Sequence, residues 1–309
     1  MVKIGIIQHA PVHMDLTKSM EKAISLIEEA SQKGAEIILF GETWLTGYPA
    51  WLDYSPDVGL WDNEPMKRVY TRMVQNSILV PGEETKQFGE IARALNVTIG
   101  MGINERIGEG FGNGSLFNGL IIISPSGEIE VHHRKLMPTF TEKLLYGLGD
   151  GKGLVTYTGS FGSLGGLICW EHWMPHARQA LHNSGEQIHL ALWPSVHEIH
   201  QIASRHYAFE GRCFVIAIGQ MMKVKDIPEQ LTIPDTLLSI PEKFILNGGS
   251  CIIGPNGKFI LEPKFDVEEI IIAEIDLQDT IGEKMTLDTA GHYYRPDVFT
   301  FEINRRRPE

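Results

Sequence analysis

The chain has 309 residues, 43% of them hydrophobic and 21% charged, the balance of a globular protein and not of a disordered or fibrous one. Its 27 Lys and Arg against 39 Asp and Glu leave a formal net charge of −12, a field set against any nucleic-acid partner. Three cysteines make no disulfide framework, no apolar run reaches the roughly 18 residues a membrane helix needs, and the N-terminal apolar run is too short for a signal peptide. A reducing, cytoplasmic setting is therefore expected, and the one basic cluster, Arg305-Arg306-Arg307, reads as a solvated tail.

In chain order, residues 3–9 read as a first strand. Asp15 then caps a helix in which Met20, Ala23, Ile24, Ile27 and Ala30 recur at helical spacing, and Gly34 ends it. Residues 36–40 are a short apolar run without alternation, as expected of a strand covered on both faces, and they deliver Gly41-Glu42-Thr43-Trp44. Strand, helix and strand in succession make a βαβ unit. Glu42 falls just past its second strand, where open α/β sheets gather their sites.

Residues 44–65 form a long loop holding Trp44, Tyr48, Trp51, Tyr54 and Trp61. A loop of that length is usually functional or disordered, and five large aromatics argue against disorder, so it is expected to wall a pocket. The alternative is that these rings plug a surface groove or a subunit contact. Two helical patterns, 66–75 and 84–95, precede a strand at 97–103. Residues 117–124 and 128–134 pair as a hairpin around Pro125-Ser126-Gly127, which ends in His132-His133-Arg134-Lys135-Leu136-Met137-Pro138. Lys135 thus also lies just beyond a strand.

A loop over 139–153 carries Glu142, Tyr146 and Asp150. The apolar residues 161–168 then run into Cys169-Trp170-Glu171-His172-Trp173-Met174-Pro175, with a helix starting at the proline. A strand at 188–193, a helix over 201–210 and a strand at 213–218 follow. A second hairpin, 250–253 with 258–261, turns around Pro255-Asn256-Gly257. Its likeness to the first hints at two similar halves. Residues 270–275 make the last strand. Residues 1–280 read as a single domain. Residues 281–309 read as a tail docking on it or on a neighbouring subunit, since Gly291-His292-Tyr293-Tyr294-Arg295-Pro296-Asp297 is rich in aromatics.

Glu42, Lys135 and Cys169 each stand immediately after an apolar strand. If those strands share a sheet direction, all three project from one end of it. A base, a cation and a nucleophile are the set needed for covalent catalysis on an electrophilic carbon. Amide groups at the start of a helix would favour a Cys169 thiolate, and a neighbouring carboxylate would oppose it. Glu42 is therefore expected to take the thiol proton, and Lys135 to offset the charge of the thiolate and of the adduct. Cysteine also often only packs, and Cys213 and Cys251, within apolar strands, are read that way. The histidine pairs His172 and His176, His197 and His200, and His132 and His133 form no His-Glu-x-x-His pattern, and no cysteine pair has zinc spacing, so no metal is expected.

Three stretches, Gly41-Glu42-Thr43-Trp44, Arg134-Lys135-Leu136-Met137-Pro138-Thr139 and Cys169-Trp170-Glu171, resemble in order and spacing the three catalytic motifs of the nitrilase superfamily. Its nitrilase branch is resembled by Gly47-Tyr48-Pro49, by Glu142 with Tyr146-Gly147-Leu148-Gly149-Asp150-Gly151, and by Gly291-His292-Tyr293 with Arg295-Pro296-Asp297-Val298. The resemblance spans nearly the whole chain. It implies an α/β four-layer α-β-β-α sandwich, with Cys169 as nucleophile, Glu42 as general base, Lys135 stabilising the tetrahedral species and Glu142 as a second acidic residue beside the nucleophile. It implies no cofactor, and homodimers that build to larger homo-oligomers or spirals.

The reaction implied is hydrolysis of a small organic nitrile to the carboxylic acid and ammonia through a thioimidate and an acyl-thioester. An amidase or carbamoylase with the same three residues is the alternative, followed by a cyanide-hydrolysing enzyme and a non-enzymatic assembly protein. Many nitrilases have Asn where this chain has His172, a difference that bears on substrate preference. The expected substrate-binding residues are Tyr54, Thr139, Tyr146, Trp170 and His197, of which Tyr54 and Trp170 favour an apolar or aromatic substituent. Neither a nucleic acid nor a membrane is expected as a partner.

Overall fold

Residues 1–110 and 112–307 are described by a computed structural model, in which two mixed sheets lie face to face. The strands are β1 (Val2–Gln8), β2 (Ile37–Phe40), β3 (Thr98–Arg106), β4 (Leu116–Ile123), β5 (Ile129–Arg134), β6 (Tyr157–Gly159), β7 (Gly162–Ile168), β8 (Ile188–Trp193), β9 (Phe214–Gly219), β10 (Met221–Lys223), β11 (Phe244–Ile253), β12 (Phe259–Phe265) and β13 (Glu269–Ile275). The helices are α1 (Leu16–Gln32), α2 (Glu64–Gln75), α3 (Glu83–Leu95), α4 (Pro175–Asn183), α5 (Glu198–Gly211), α6 (Asp235–Leu238) and α7 (Gln278–Glu283). The first sheet runs β13-β1-β2-β3-β4-β5 and the second β10-β11-β9-β8-β7-β6, with β12 beside β11.

Alternation along each strand assigns its side chains to layers. In the first sheet Ile4, Ile6, Ile37, Leu39, Leu120 and Ile122 face inward and pack with Leu164, Ile168, Leu190 and Leu192 of the second. Their neighbours Ile7, Ile38, Phe40, Ile121 and Ile123 face outward, under Ala23 and Ile27 of α1 and Phe88 and Ala92 of α3. Outside the second sheet, α4 and α5 contribute Ala177, Leu181, Ala203 and Tyr207. The result is the expected α-β-β-α sandwich, and it explains why the strands carry apolar residues at consecutive positions: both faces are covered.

The hint of two similar halves holds in the topology. In the first sheet β1, β2 and β3 are parallel, β4 is antiparallel to β3, and β5 is antiparallel to β4. In the second, β7, β8 and β9 are parallel, β11 is antiparallel to β9, and β12 is antiparallel to β11. The two hairpin turns also bond alike: Gly127 N to Ser124 O and Gly257 N to Gly254 O, both 2.8 Å, each glycine at positive φ.

Some expectations are corrected. Helix α5 begins at Glu198, ahead of the expected residue 201, because His197 is already the extended cap residue. The stretch between residues 218 and 250, in which the sequence marked no element, holds β10 and the first half of β11, whose pairing with each other replaces an apolar signal. Trp61 is 98% exposed, at odds with a place in a pocket wall, whereas Trp44 and Trp51 are buried. The basic end is not simply solvated. Arg307 pairs with Asp150 at 2.7 Å and donates to the His132 carbonyl at 3.0 Å, while Phe301 and Ile303 lean on the core. Among the described residues no helix is long and apolar enough to cross a membrane.

Candidate active site

Glu42 follows β2 and Lys135 follows β5, while Cys169 follows β7 in the other sheet. The three strands therefore do not share a sheet, as the sequence reading supposed. Because β5 reverses twice relative to β3, it runs with β2, and its end comes out at the same end of the sheet as that of β2. The second sheet then supplies the cysteine across the seam. One carboxylate oxygen each of Glu42 and Glu142 and the Sγ of Cys169 lie within 4.8 Å of one another.

The ammonium of Lys135 holds the carboxylates together. Its Nζ donates to Glu42 Oε1 at 2.9 Å and to Glu142 Oε1 and Oε2 at 2.9 and 2.8 Å. Glu142 also accepts from the Tyr48 hydroxyl at 2.7 Å and from the Thr139 backbone N–H at 2.9 Å. Glu42 Oε1 takes a further bond from Asn118 Nδ2 at 2.7 Å, and the Glu42 carbonyl accepts from Gln220 Nε2. Glu42 Oε2 is buried and takes no bond from the described residues, which leaves its lone pairs for a reacting proton. Two carboxylates and a thiolate form a set that could bind a metal, but the Lys135 ammonium already fills the cation position between them.

Burial sets the protonation states. Removal from water, with the charge of Glu142 added, pushes Glu42 up to about 7 against the pull of Lys135 and Asn118. Burial and then Glu42 raise the Cys169 thiol well above its ordinary value, outweighing Lys135. The expected preference for a thiolate is thus reversed in the free protein. The helix at the cysteine is only a short 3₁₀ turn, Cys169–Trp173, too small a dipole to offset a buried charge next to a carboxylate. For Lys135 burial works against the charge, but Cys169, Glu42 and Glu142 more than offset it and the ammonium is kept. The resting arrangement is a thiol, an ammonium and a carboxylate poised near neutrality.

Backbone strain marks two of the three strand ends. Cys169 has φ 54° and Thr43, beside Glu42, has φ 45°, a region that costs a non-glycine residue about 1–3 kcal/mol and persists where the surroundings over-determine it. Glu171 supplies part of that constraint. Its carboxylate accepts from Ile168 N and Leu136 N, both at 2.7 Å, and bonds His133 Nε2 at 2.9 Å, so one buried group ties the cysteine turn to the lysine strand. Burial alone would raise Glu171, but the His133 ring and the two amides hold it below its ordinary value. Residues 3–283 match the family described as Carbon-nitrogen hydrolase.

The chain belongs to the carbon-nitrogen hydrolase family. It is 38% identical over 305 residues to "Nitrilase 2" of an unknown prokaryotic organism, covering 98% of this chain and 93% of that one. It is 33% identical to the "Aliphatic nitrilase" of Sinorhizobium fredii (98% and 95% covered) and 35% identical to "Nitrilase 2" of Arabidopsis thaliana (98% and 87% covered). In fold it is like the carbon-nitrogen hydrolase of Helicobacter pylori G27, with a TM-score of 0.68 at 20% identity over 96% of each chain. It is also like the C. elegans NitFhit protein, with a TM-score of 0.72 at 19% identity, covering 100% of this chain and 68% of that one.

In this carbon-nitrogen hydrolase Glu42, Lys135, Glu142 and Cys169 form one buried group, with Cys169 only 2% exposed. The five residues expected to bind substrate are spread more widely. Thr139 sits on the Glu142 turn with its Oγ1 buried and unpartnered. Tyr146 is buried and gives its hydroxyl to Asn104 at 2.5 Å. Tyr54 is half-buried and lines a surface cleft of about 460 Å³ with Phe140, Thr141 and Leu144. Trp170 is half-exposed against Trp173, and His197 is exposed with its ring bonded to Asn247. Sequence reasoning missed Asn118, Gln220 and the bridging role of Glu171. Asn118 carried a usable signal, being a lone amide inside the apolar run of β4.

Proposed function

We propose that this carbon-nitrogen hydrolase converts small organic nitriles to carboxylic acids and ammonia through a covalent Cys169 intermediate. The observation that carries the reading is the enclosed group of Cys169, Glu42, Lys135 and Glu142, in which a Glu42 carboxylate oxygen lies within 4.8 Å of the Cys169 sulfur. Relatives named nitrilases that match nearly the whole chain support it. A buried thiol suits a narrow, linear group such as a nitrile.

The chemistry follows from the protonation states. Glu42 takes the Cys169 proton as the sulfur bonds to the nitrile carbon, and the proton passes to nitrogen, giving a thioimidate. Lys135 faces the charge that develops on the adduct. Glu42 then deprotonates a water that adds to the same carbon and passes the proton to nitrogen; the new hydroxyl gives its remaining proton through Glu42 to the same nitrogen as the carbonyl forms and the carbon–nitrogen bond breaks, which releases ammonia and leaves the acyl-thioester. A second water adds to the thioester, the carbon–sulfur bond breaks, and the thiol is restored as the acid leaves. Glu142, held by Lys135, Tyr48 and Thr139, keeps the ammonium in place.

Ammonia release from a panel of nitriles and their matching amides, with Cys169→Ala as control, tests the reading. Release from nitriles, lost in the variant, is expected. Release from amides alone would instead make this an amidase with the same residues, and full activity in Cys169→Ala would end the covalent assignment. A homodimer belongs to the same proposal. Ile199, Ile202 and Phe209 lie exposed along α5 with Trp173 nearby, an apolar stripe suited to a second copy. Sedimentation as a single 34.6 kDa chain would overturn that part.

A further inference from the structure

Behind the nucleophile a second line of buried polar groups runs from the Cys169 turn through β8 to α5. His172 Nδ1 lies 2.6 Å from the Cys169 carbonyl oxygen, and His172 Nε2 lies 2.9 Å from His189 Nε2. His189 Nδ1 lies 2.8 Å from Glu186 Oε1, and the Tyr207 hydroxyl lies 2.6 Å from Glu186 Oε2. All four side chains are buried, and the His172 ring is stacked on Trp193 at 4.5 Å. None of them takes part in the chemistry described above.

The directions of these bonds follow from what each atom can do. A carbonyl oxygen only accepts, so His172 Nδ1 carries a proton and donates. In a neutral ring Nε2 is then a lone pair, and the facing His189 Nε2 must donate to it. A neutral His189 has its lone pair on Nδ1, and among the described residues the group there to supply a proton is Glu186. Glu186 is therefore a carboxylic acid, donating through Oε1 and accepting from Tyr207 at Oε2. Every polar atom in the line is satisfied without placing a charge in the core. The alternative with the same number of protons is a buried imidazolium on His189 against a Glu186 carboxylate. Burial disfavours both ions, pushing Glu186 up to about 8 and His189 well down.

We propose that His189 and a protonated Glu186 are positioning residues for the nucleophile: they hold His172 in its Nδ1–H form, and His172 in turn pins the Cys169 carbonyl and the left-handed backbone that aims Sγ at Glu42 and Lys135. The strained φ of 54° needs such a clamp, because loss of the carbonyl bond frees the turn to relax toward an ordinary conformation. The signal in the chain is the spacing of Glu186 and His189, three apart around the start of β8, opposite His172. The catalytic part of the proposal rests on the nitrile-hydrolase reading, and the proton assignment does not.

Two measurements decide it. Magic-angle-spinning NMR of the protein labelled with 15N-histidine reports protonation at each ring nitrogen. His172 protonated at Nδ1 only and His189 at Nε2 only are expected, and a doubly protonated His189 or a proton on His172 Nε2 overturns the assignment. The second compares Glu186→Gln, whose amide can still donate to His189 and accept from Tyr207, with Glu186→Leu, which can do neither.

The Gln variant should keep kcat within about twofold and the Leu variant should lose about tenfold or more, with KM little changed in both. The rate at which iodoacetamide alkylates Cys169, read by peptide mass spectrometry, should follow the same order. Equal damage by Gln and Leu would mean that a carboxylate is required, and an undamaged Leu variant would mean that the line positions nothing. If Glu186→Leu does not fold, the Gln variant and the NMR still decide the proton assignment. A wild-type protein that releases no ammonia from nitriles counts against the proposed function alone, because the alkylation rates and the NMR still test the clamp.

Discussion

Replacing Asn118 by Leu would isolate what keeps Glu42 usable as a base. The Asn118 amide donates to Glu42 Oε1 at 2.7 Å inside the core, and with Lys135 it opposes the burial and the Glu142 charge that push Glu42 up to about 7. A hydrogen bond to a charged group contributes about 1.5–3 kcal/mol, and one pKa unit corresponds to about 1.4 kcal/mol, so its loss should raise Glu42 by about one to two units. A general base works when ionised, so activity rises with pH through its pKa, and the acid limb of kcat/KM should move upward by that amount. Near neutrality the ionised fraction should fall from about one half to between about a tenth and a hundredth, and kcat/KM should fall about 5- to 50-fold. Above the shifted limb the variant should recover. Ammonia release measured as a pH profile checks this. A loss equal at every pH, with the limb unmoved, would mean that Asn118 serves geometry only; an unmoved limb without loss would remove Glu42 as the titrating base.

Lys135→Met strips the ammonium from between two buried carboxylates, and breaking a buried pair in this way costs about 3–5 kcal/mol. Denaturant unfolding should show that loss at neutral pH. The loss should shrink on acidification: a carboxylate such as Glu42 whose folded pKa is raised destabilises above that value and does so no longer below the ordinary carboxylate range. A loss that stays constant with pH would refute the electrostatic account. Gly149→Ala drives a Cβ into the backbone carbonyls of Arg134 and Lys135, which cannot move without displacing the lysine. Unfolding should register overpacking of about 1–3 kcal/mol, and kcat should fall further than that stability change alone accounts for. Unchanged kcat in a folded variant would mean that the Lys135 strand end tolerates displacement.

What the chain determined by itself is local and periodic. The apolar runs of β2, β7 and β8, broken only by Ser163 and His189, announced strands covered on both faces, Asp15 announced the start of α1, and Glu42, Lys135 and Cys169 announced themselves by standing where such runs stop. The two Pro-x-Gly hairpin turns even foreshadowed the repeat between the halves. These features are legible because burial on two faces and turn chemistry act over a few residues.

Which strand ends meet is a long-range matter, and only the tertiary structure decided it. Cys169 comes from the opposite sheet, 127 positions after Glu42, and no spacing rule places it there. The same holds for Asn118, whose amide is informative only once β4 lies beside Glu42, and for the loop aromatics, of which Trp51 is buried and Trp61 exposed although both stand among similar residues. Charge states were hidden for the same reason. The sequence reading favoured a Cys169 thiolate from a nearby helix start, while the folded chain raises that thiol. A pKa responds to the water removed and the charges gathered from every packed element, and both are fixed only when the two sheets close on each other.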